Sequence, residues 1–216
     1  MTTTSARQSV PTPRRTRARR GEGERLREEI LAAATRLLLE TGDESAVSIR
    51  AVAATVGVTP PSIYLHFADK NELLRAVCSE QFRQLAERTA AAAASTGDPV
   101  EMLRRCGRAY ITFGLENPEA YRILFMCNDR GEHERAHPEK LADAAAFFDL
   151  VQRVRDGIDA GAFRLTDPVQ AAMGLWATVH GLTSLLIAHP GFPWPEDRDQ
   201  LIDRVIDQAL TGLLAG

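Results

Sequence analysis

The chain has 216 residues, 44% of them hydrophobic, which leaves room for one large or two small domains with a substantial core. Its net charge of −3 conceals an asymmetry: residues 1–20 carry six arginines and no acid, so the remainder carries −9. A basic end on an acidic body points to a local, oriented contact with a polyanion, and three scattered cysteines (Cys78, Cys106, Cys127) without C-x-x-C spacing argue against a disulfide scaffold.

Residues 1–20, rich in Thr, Ser, Pro and Arg, lack the apolar pattern of a core and read as a disordered arm. The cluster Arg14-Arg15-x-Arg17-x-Arg19-Arg20 is suited to phosphate contacts or a minor-groove arm, with a plain solvated tail as the alternative. No apolar stretch follows these charges, so no secretory signal is expected, and the segment cannot make the amphipathic helix of a transit peptide. The longest apolar candidate, Leu175 to Ala188, is short and interrupted by His180, so no membrane span is expected and the expected location is cytoplasmic. Each cysteine reads as a small core residue.

A first helix is predicted over about Glu22 to Glu40, with an apolar face of Leu26, Ile30, Ala33 and Leu37 and a stop at Gly42. A second, capped by Ser48, places Ile49, Val52, Ala53 and Val56 on one face and ends at Gly57, where a positive φ is commonly needed. Thr59 caps a third helix of about two turns, with Pro60 and Pro61 at positions whose missing N–H groups cost nothing. Ile63 and Phe67 face inward, leaving Pro61, Ser62, Tyr64, Leu65 and His66 outside. A helix so short and so polar outside suits insertion into a major groove. Asp69 caps the next helix, Glu72 sits at the capping-box position, and Lys70 adds a cation beside amides that already favour a phosphate.

The run Gly57-Val58-Thr59-Pro60-Pro61-Ser62-Ile63-Tyr64-Leu65-His66-Phe67, followed by Lys70-Asn71-Glu72-Leu73-Leu74, closely resembles the signature of TetR-family transcriptional regulators, over about Arg27 to Ala76. The resemblance implies that Thr59, Tyr64, His66 and Lys70 touch the DNA backbone, that Pro60, Pro61 and Ser62 lie where the recognition helix meets base edges, and that Arg50 is a further contact. Two prolines and one serine offer few hydrogen bonds for bidentate base readout. Specificity is therefore expected to lean on Arg50, thymine methyl groups or DNA shape.

The helix from Lys70 runs to about Ala94 and leaves the head, a mechanical link between domains. Asp98-Pro99 starts a helix through Met102, Cys106, Tyr110 and Phe113; Asn117-Pro118-Glu119 starts a short aromatic one ending near Met126. Further helices are predicted over Pro138 to Ala160, from Asp167-Pro168 to Ala188, and over Arg198 to Leu214, with His189 to Asp197 as a loop. Trp176 and His180 lie one turn apart, and the stretch Leu175 to Leu182 is similar to the Trp-x-x-x-His-Gly motif of one subgroup of TetR ligand-binding domains. The resemblance implies that the last two helices pair with those of a second subunit, through residues such as Leu182, Leu185, Leu186, Leu201, Val205, Ile206, Leu210 and Leu213.

Met102, Cys106, Tyr110, Phe113, Phe125, Phe147, Trp176 and His180 have the mixture expected of a small-molecule cavity, although each also suits a plain core. The sequence thus predicts an all-α protein: an arm over 1–20, a three-helix helix-turn-helix DNA-binding domain over 21–69, and a helical effector-binding and dimerisation domain over 70–216. The expected function is that of a regulator, most simply a repressor. It binds a pseudo-palindromic operator in double-stranded DNA as a homodimer and is released by a small-molecule effector, with no cofactor and no catalysis. Two alternatives stand beside it. His133-Glu134-Arg135-Ala136-His137 matches the H-E-x-x-H pattern of zinc metalloproteases, but Pro138 disfavours helical geometry at His137 and Gly131 precedes it. A sequence-nonselective DNA-binding protein would use the Arg arm and leave the large helical domain without a task.

Overall fold

The structure, a computed structural model, describes residues 22–125 and 138–214. Among the described residues there are nine α-helices: α1 (Glu22–Thr41), α2 (Ile49–Val56), α3 (Pro60–Ile63), α4 (Lys70–Ala94), α5 (Pro99–Glu116), α6 (Pro118–Phe125), α7 (Pro138–Asp159), α8 (Pro168–Ala188) and α9 (Arg198–Thr211). A 3-10 turn at Glu44–Ala46 precedes α2, and Phe163 and Leu214 form one isolated antiparallel bridge. The fold is all-α, as the sequence predicts. The Arg-rich arm, Cys127 and the His133–His137 pattern lie outside the described residues.

Aspartates start four of these helices. Asp69, Asp98, Asp167 and Asp197 each sit in extended backbone and accept hydrogen bonds from amides in the first turn, with Pro99 and Pro168 at positions that need no donor.

Two hydrophobic cores organise the chain. The head core joins Ile30, Ala34 and Leu38 of α1 to Val52 and Ala53 of α2, Ile63 and Phe67 around α3, and Leu73 and Val77 of α4. The buried stripe of α1 therefore runs i, i+4, i+8 from Ile30, because α2 and α4 both lie against it. Leu26 and Leu37, predicted on the buried face, are only partly covered.

The body core is built around α5, which contacts α4, α6, α7, α8 and α9. Gly114 permits a close approach to α8 and α6: a Cβ there would sit 2.4 Å from Thr183 Cγ2 of α8 and 2.9 Å from Tyr121 Cδ2. On the other side Arg104 and Arg108, one turn apart on α5, pair with α9. Arg104 Nε donates to Asp207 at 2.7 Å, and Arg108 reaches Asp203 at 2.8 Å and Asp199 at 3.1 Å. These pairs are part-exposed, so each contributes at most about 1 kcal/mol. Leu39, near the end of α1, packs against both cores, and α4 belongs to both.

Helix α8 spans Pro168–Ala188, as predicted, and its apolar stretch is longer than Leu175 to Ala188: it contains an 18-residue window of mean hydropathy 1.4, of which 33% is buried within the protein. By length and composition alone it is long and apolar enough to cross a membrane. Ala172, Leu182, Thr183 and Leu186 instead pack inward, while Val169, Met173 and Leu185 are exposed along one side. Leu182, Leu186, Ile206, Leu210 and Leu213, predicted to face a second subunit, are all buried in the protomer's own core.

Candidate nucleic-acid interface and ligand cavity

The head presents its functional residues through local backbone chemistry. Ser48 Oγ accepts from the Ala51 amide at 3.1 Å to start α2, and Gly57, at φ 78° and ψ 32°, closes it with its amide on Ala53 O. Thr59 occupies the cap of α3 in extended conformation, yet its hydroxyl contacts Ser62 Oγ at 3.1 Å instead of capping an amide. Helix α3 is one turn, Pro60–Ile63, shorter than the two turns predicted. The next residues continue as turns, in which the His66 and Phe67 amides both donate to Ile63 O. Ile63 and Phe67 are buried as predicted, and the Arg27 guanidinium lies 4.8 Å from the centre of the Phe67 ring.

The predicted contact residues of the head are all at least partly accessible. Arg50, Thr59, Pro61 and Tyr64 are exposed; Pro60, Ser62, His66 and Lys70 are part-covered. His66 lies near the start of α1, its ring carbon 3.9 Å from where a Cβ on Gly23 would stand. Lys70 Nζ donates to Glu44 O at 2.5 Å, so its ammonium is held against the turn before α2. Below it, Asp69 accepts from the Glu72 amide at 2.7 Å while Glu72 accepts from the Ala68 amide at 2.5 Å. The Glu72 carboxylate thus reaches one residue beyond the cap. Leu65, 83% exposed, is the most open large apolar side chain of the head. It lies on the outer face, as the sequence predicts, although sequence reasoning did not include it among the named DNA contacts.

The body holds a cavity of about 220 Å³ between α4, α5, α7, α8 and α9, with Phe125 of α6 also in its wall. From the predicted set, Cys106, Tyr110, Phe125, Phe147 and Trp176 line it. Met102, Phe113 and His180 do not, and each correction has a geometric cause. The face of α5 toward the cavity is Leu103, Cys106, Gly107 and Tyr110, and Met102 is one step off that face. Phe113 is turned to the α4–α5 seam, where the Arg88 guanidinium lies 5.4 Å from its ring centre.

His180 stands behind the wall. Its Nδ1 is 2.7 Å from Tyr121 Oη and 3.0 Å from Tyr110 Oη, and its ring lies 4.9 Å from Phe125 and 5.5 Å from Trp176. Tyr121 Oη also donates to His180 O, at 3.2 Å. Burial lowers the His180 pKa and raises those of both tyrosines, so this cluster is neutral around pH 7. Cavity residues that sequence reasoning missed include Phe82 and Leu85 of α4 and Asp149 and Arg153 of α7. The α4 pair was hidden because that helix is long and polar overall, and the α7 pair because charges on a helix read as a solvated face. Among the described residues no cluster of His, Cys, Asp or Glu has the arrangement of a metal site.

Comparison with known proteins agrees with this architecture. Residues 30–77 match the model for bacterial regulatory proteins of the tetR family, and residues 103–209 match the tetracyclin repressor-like C-terminal domain. The HTH-type transcriptional activator FasR of Mycolicibacterium smegmatis is 26% identical over 190 residues, covering 87% of this chain and 82% of that protein. The HTH-type transcriptional repressor AcnR of Corynebacterium efficiens is 30% identical over 149 residues, covering 67% of this chain and 72% of that protein. A solved structure of a protein with unknown function from Rhodococcus sp. RHA1 shares the fold, with a TM-score of 0.75 at 24% identity over 88% of this chain and 96% of that one. A helix-turn-helix head on an all-helical body, matched in both parts and by relatives that regulate transcription, places the chain in the TetR family of DNA-binding transcriptional regulators, which are not enzymes.

Proposed function

We propose that the protein is a one-component repressor: a cytoplasmic homodimer that binds a pseudo-palindromic operator and leaves it when a small molecule fills the cavity of the body. The observation that carries this reading is α4, which has Lys70 on the outer face of the head at its first residue and Phe82 and Leu85 in the cavity wall three to four turns later. At 1.5 Å per residue, Lys70 and Phe82 are about 18 Å apart on one rigid rod. A ligand that displaces the wall tilts that rod, and with it the head. Helix α6 adds a second route, since Phe125 lines the cavity while Glu119 lies against Gly42 at the end of α1.

On DNA, the one-turn α3 enters the major groove, with Pro60, Pro61 and Ser62 nearest the base edges and Leu65 available to a thymine methyl group. Thr59, Tyr64, His66 and Lys70 contact the backbone around it, and Arg50 is a further contact that adds to specificity. In the dimer, Val169, Met173 and Leu185 of α8, with the part-exposed Leu201 and Val205 of α9, meet their counterparts. Gly174 and Gly181, beside which a Cβ would meet nothing within 4 Å, permit close approach of the partner helix.

The test is in vitro selection of bound DNA followed by titration at several salt concentrations. A recovered inverted repeat bound by two protomers, with Lys70→Ala weakening all sequences alike and lowering the salt slope by about one, is expected. Equal affinity for all DNA would mark a nonselective DNA-binding protein instead.

A further inference from the structure

The chemistry of the cavity wall narrows what it accepts. Most of the lining is apolar, with aromatic rings from Phe82, Phe125, Phe147 and Trp176. The few uncharged polar groups are already engaged: Thr89 Oγ1 donates to backbone carbonyls of its own helix, Cys106 Sγ contacts Thr89 O at 3.4 Å, and Tyr110 Oη meets His180 and Tyr121. What is left are two charges on α7, Asp149 and Arg153, one helical turn apart. They form no ion pair with each other, and among the described residues Arg153 has no carboxylate or hydrogen-bond partner. Asp149 is exposed, whereas Arg153 is partly covered and close enough to the buried Cys106 for its charge to act on the thiol. A lone inward guanidinium on an apolar wall is the counterpart of one anionic group on an apolar body.

We propose that the effector is an apolar monocarboxylate, its carboxylate at Arg153 and its hydrocarbon or aromatic body against the rings of α4, α6 and α8. This assignment rests on reading the cavity as the effector site. A bidentate guanidinium–carboxylate pair sets the orientation, and burial of the apolar body sets the affinity.

Calorimetric titration of the full chain, without DNA, with decanoate, octanoate, decanol and decylamine is the direct test. Decanoate is expected to bind at least about tenfold more tightly than decanol, as a charge-assisted hydrogen bond requires, and decylamine more weakly still. Removing two methylenes, as in octanoate, should weaken binding by roughly tenfold or more. Arg153→Gln should abolish the preference for decanoate over decanol. If that variant does not fold, Asp149→Asn reads the same field: removing the nearby negative charge should tighten decanoate and leave decanol unchanged. Decanol binding as well as decanoate, no binding of either carboxylate at millimolar concentration, a preference that survives in folded Arg153→Gln, or decanoate affinity unmoved in Asp149→Asn would each overturn the assignment. Arg153-dependent decanoate binding that leaves operator affinity unchanged would uphold the ligand class and reject the release mechanism.

Discussion

Gly114 and His180 show how much single positions of the body decide. At Gly114 the backbone of α5 comes so near α8 and α6 that a methyl group would overlap Thr183 and Tyr121. Gly114→Ala should therefore lower stability by about 1–3 kcal/mol, although alanine is the better helix former, and urea unfolding would measure it. For His180 the sign follows from burial. Its folded pKa is depressed below 6.5, so as pH falls through that value the unfolded chain takes up a proton that the folded protein refuses. The His180 contribution is at its most favourable above pH 6.5 and is lost as pH drops from there toward the folded pKa. His180→Phe should flatten the pH dependence of unfolding across that window, and a slope equal to that of the wild type would reject the buried neutral imidazole. Phe125 and Trp176 pack on that ring, so His180 shapes the cavity without lining it.

Elements connect such residues across the molecule. Helix α4 starts at a doubly used cap: Asp69 holds the Glu72 amide, and Glu72 reaches back to Ala68. Because Lys70 follows at once, the cap that stabilises the helix also positions the cation proposed to meet DNA. Asp69→Ala should cost about 0.5–2 kcal/mol of stability, read as a shift of the urea midpoint. It should also weaken operator binding more than Lys70→Ala does if the whole start of the helix frays, a comparison that fluorescence anisotropy would make. The sequence made most of these elements legible, since aspartate caps, prolines in the first turn and Gly57 act locally. It misjudged the rotation of α1 and the length of α3. Both depend on neighbours: α1 is flanked by α2 and α4, and the turn after Ile63 is shaped by burying Phe67.

For the whole molecule, the two cores share α4 and Leu39, and a second copy completes the proposed assembly. Leu185, 49% exposed, lies on the apolar side of α8. Leu185→Glu would bury a carboxylate in the proposed dimer interface and should shift sedimentation toward monomer while helicity is kept. An unchanged dimer would move the interface elsewhere. If ligand and operator bias the same tilt of α4, linkage requires each to weaken the other by one common factor. Ligand affinity measured with and without operator would test this, and equal values would reject coupling.

The sequence by itself determined the helices, their caps, the helix-turn-helix and the resemblance carried by residues 57–74, because each depends on residues within a few positions of one another. It also marked Cys106, Tyr110, Phe125, Phe147 and Trp176, since apolar residues at helical spacing must bury somewhere. Only the tertiary structure decided which of them share a cavity, that Phe113 and His180 turn away from it, and that Arg153 turns toward it. Those outcomes depend on how six helices rotate against one another, and a helix sequence sets which faces are apolar without setting which neighbour each face meets.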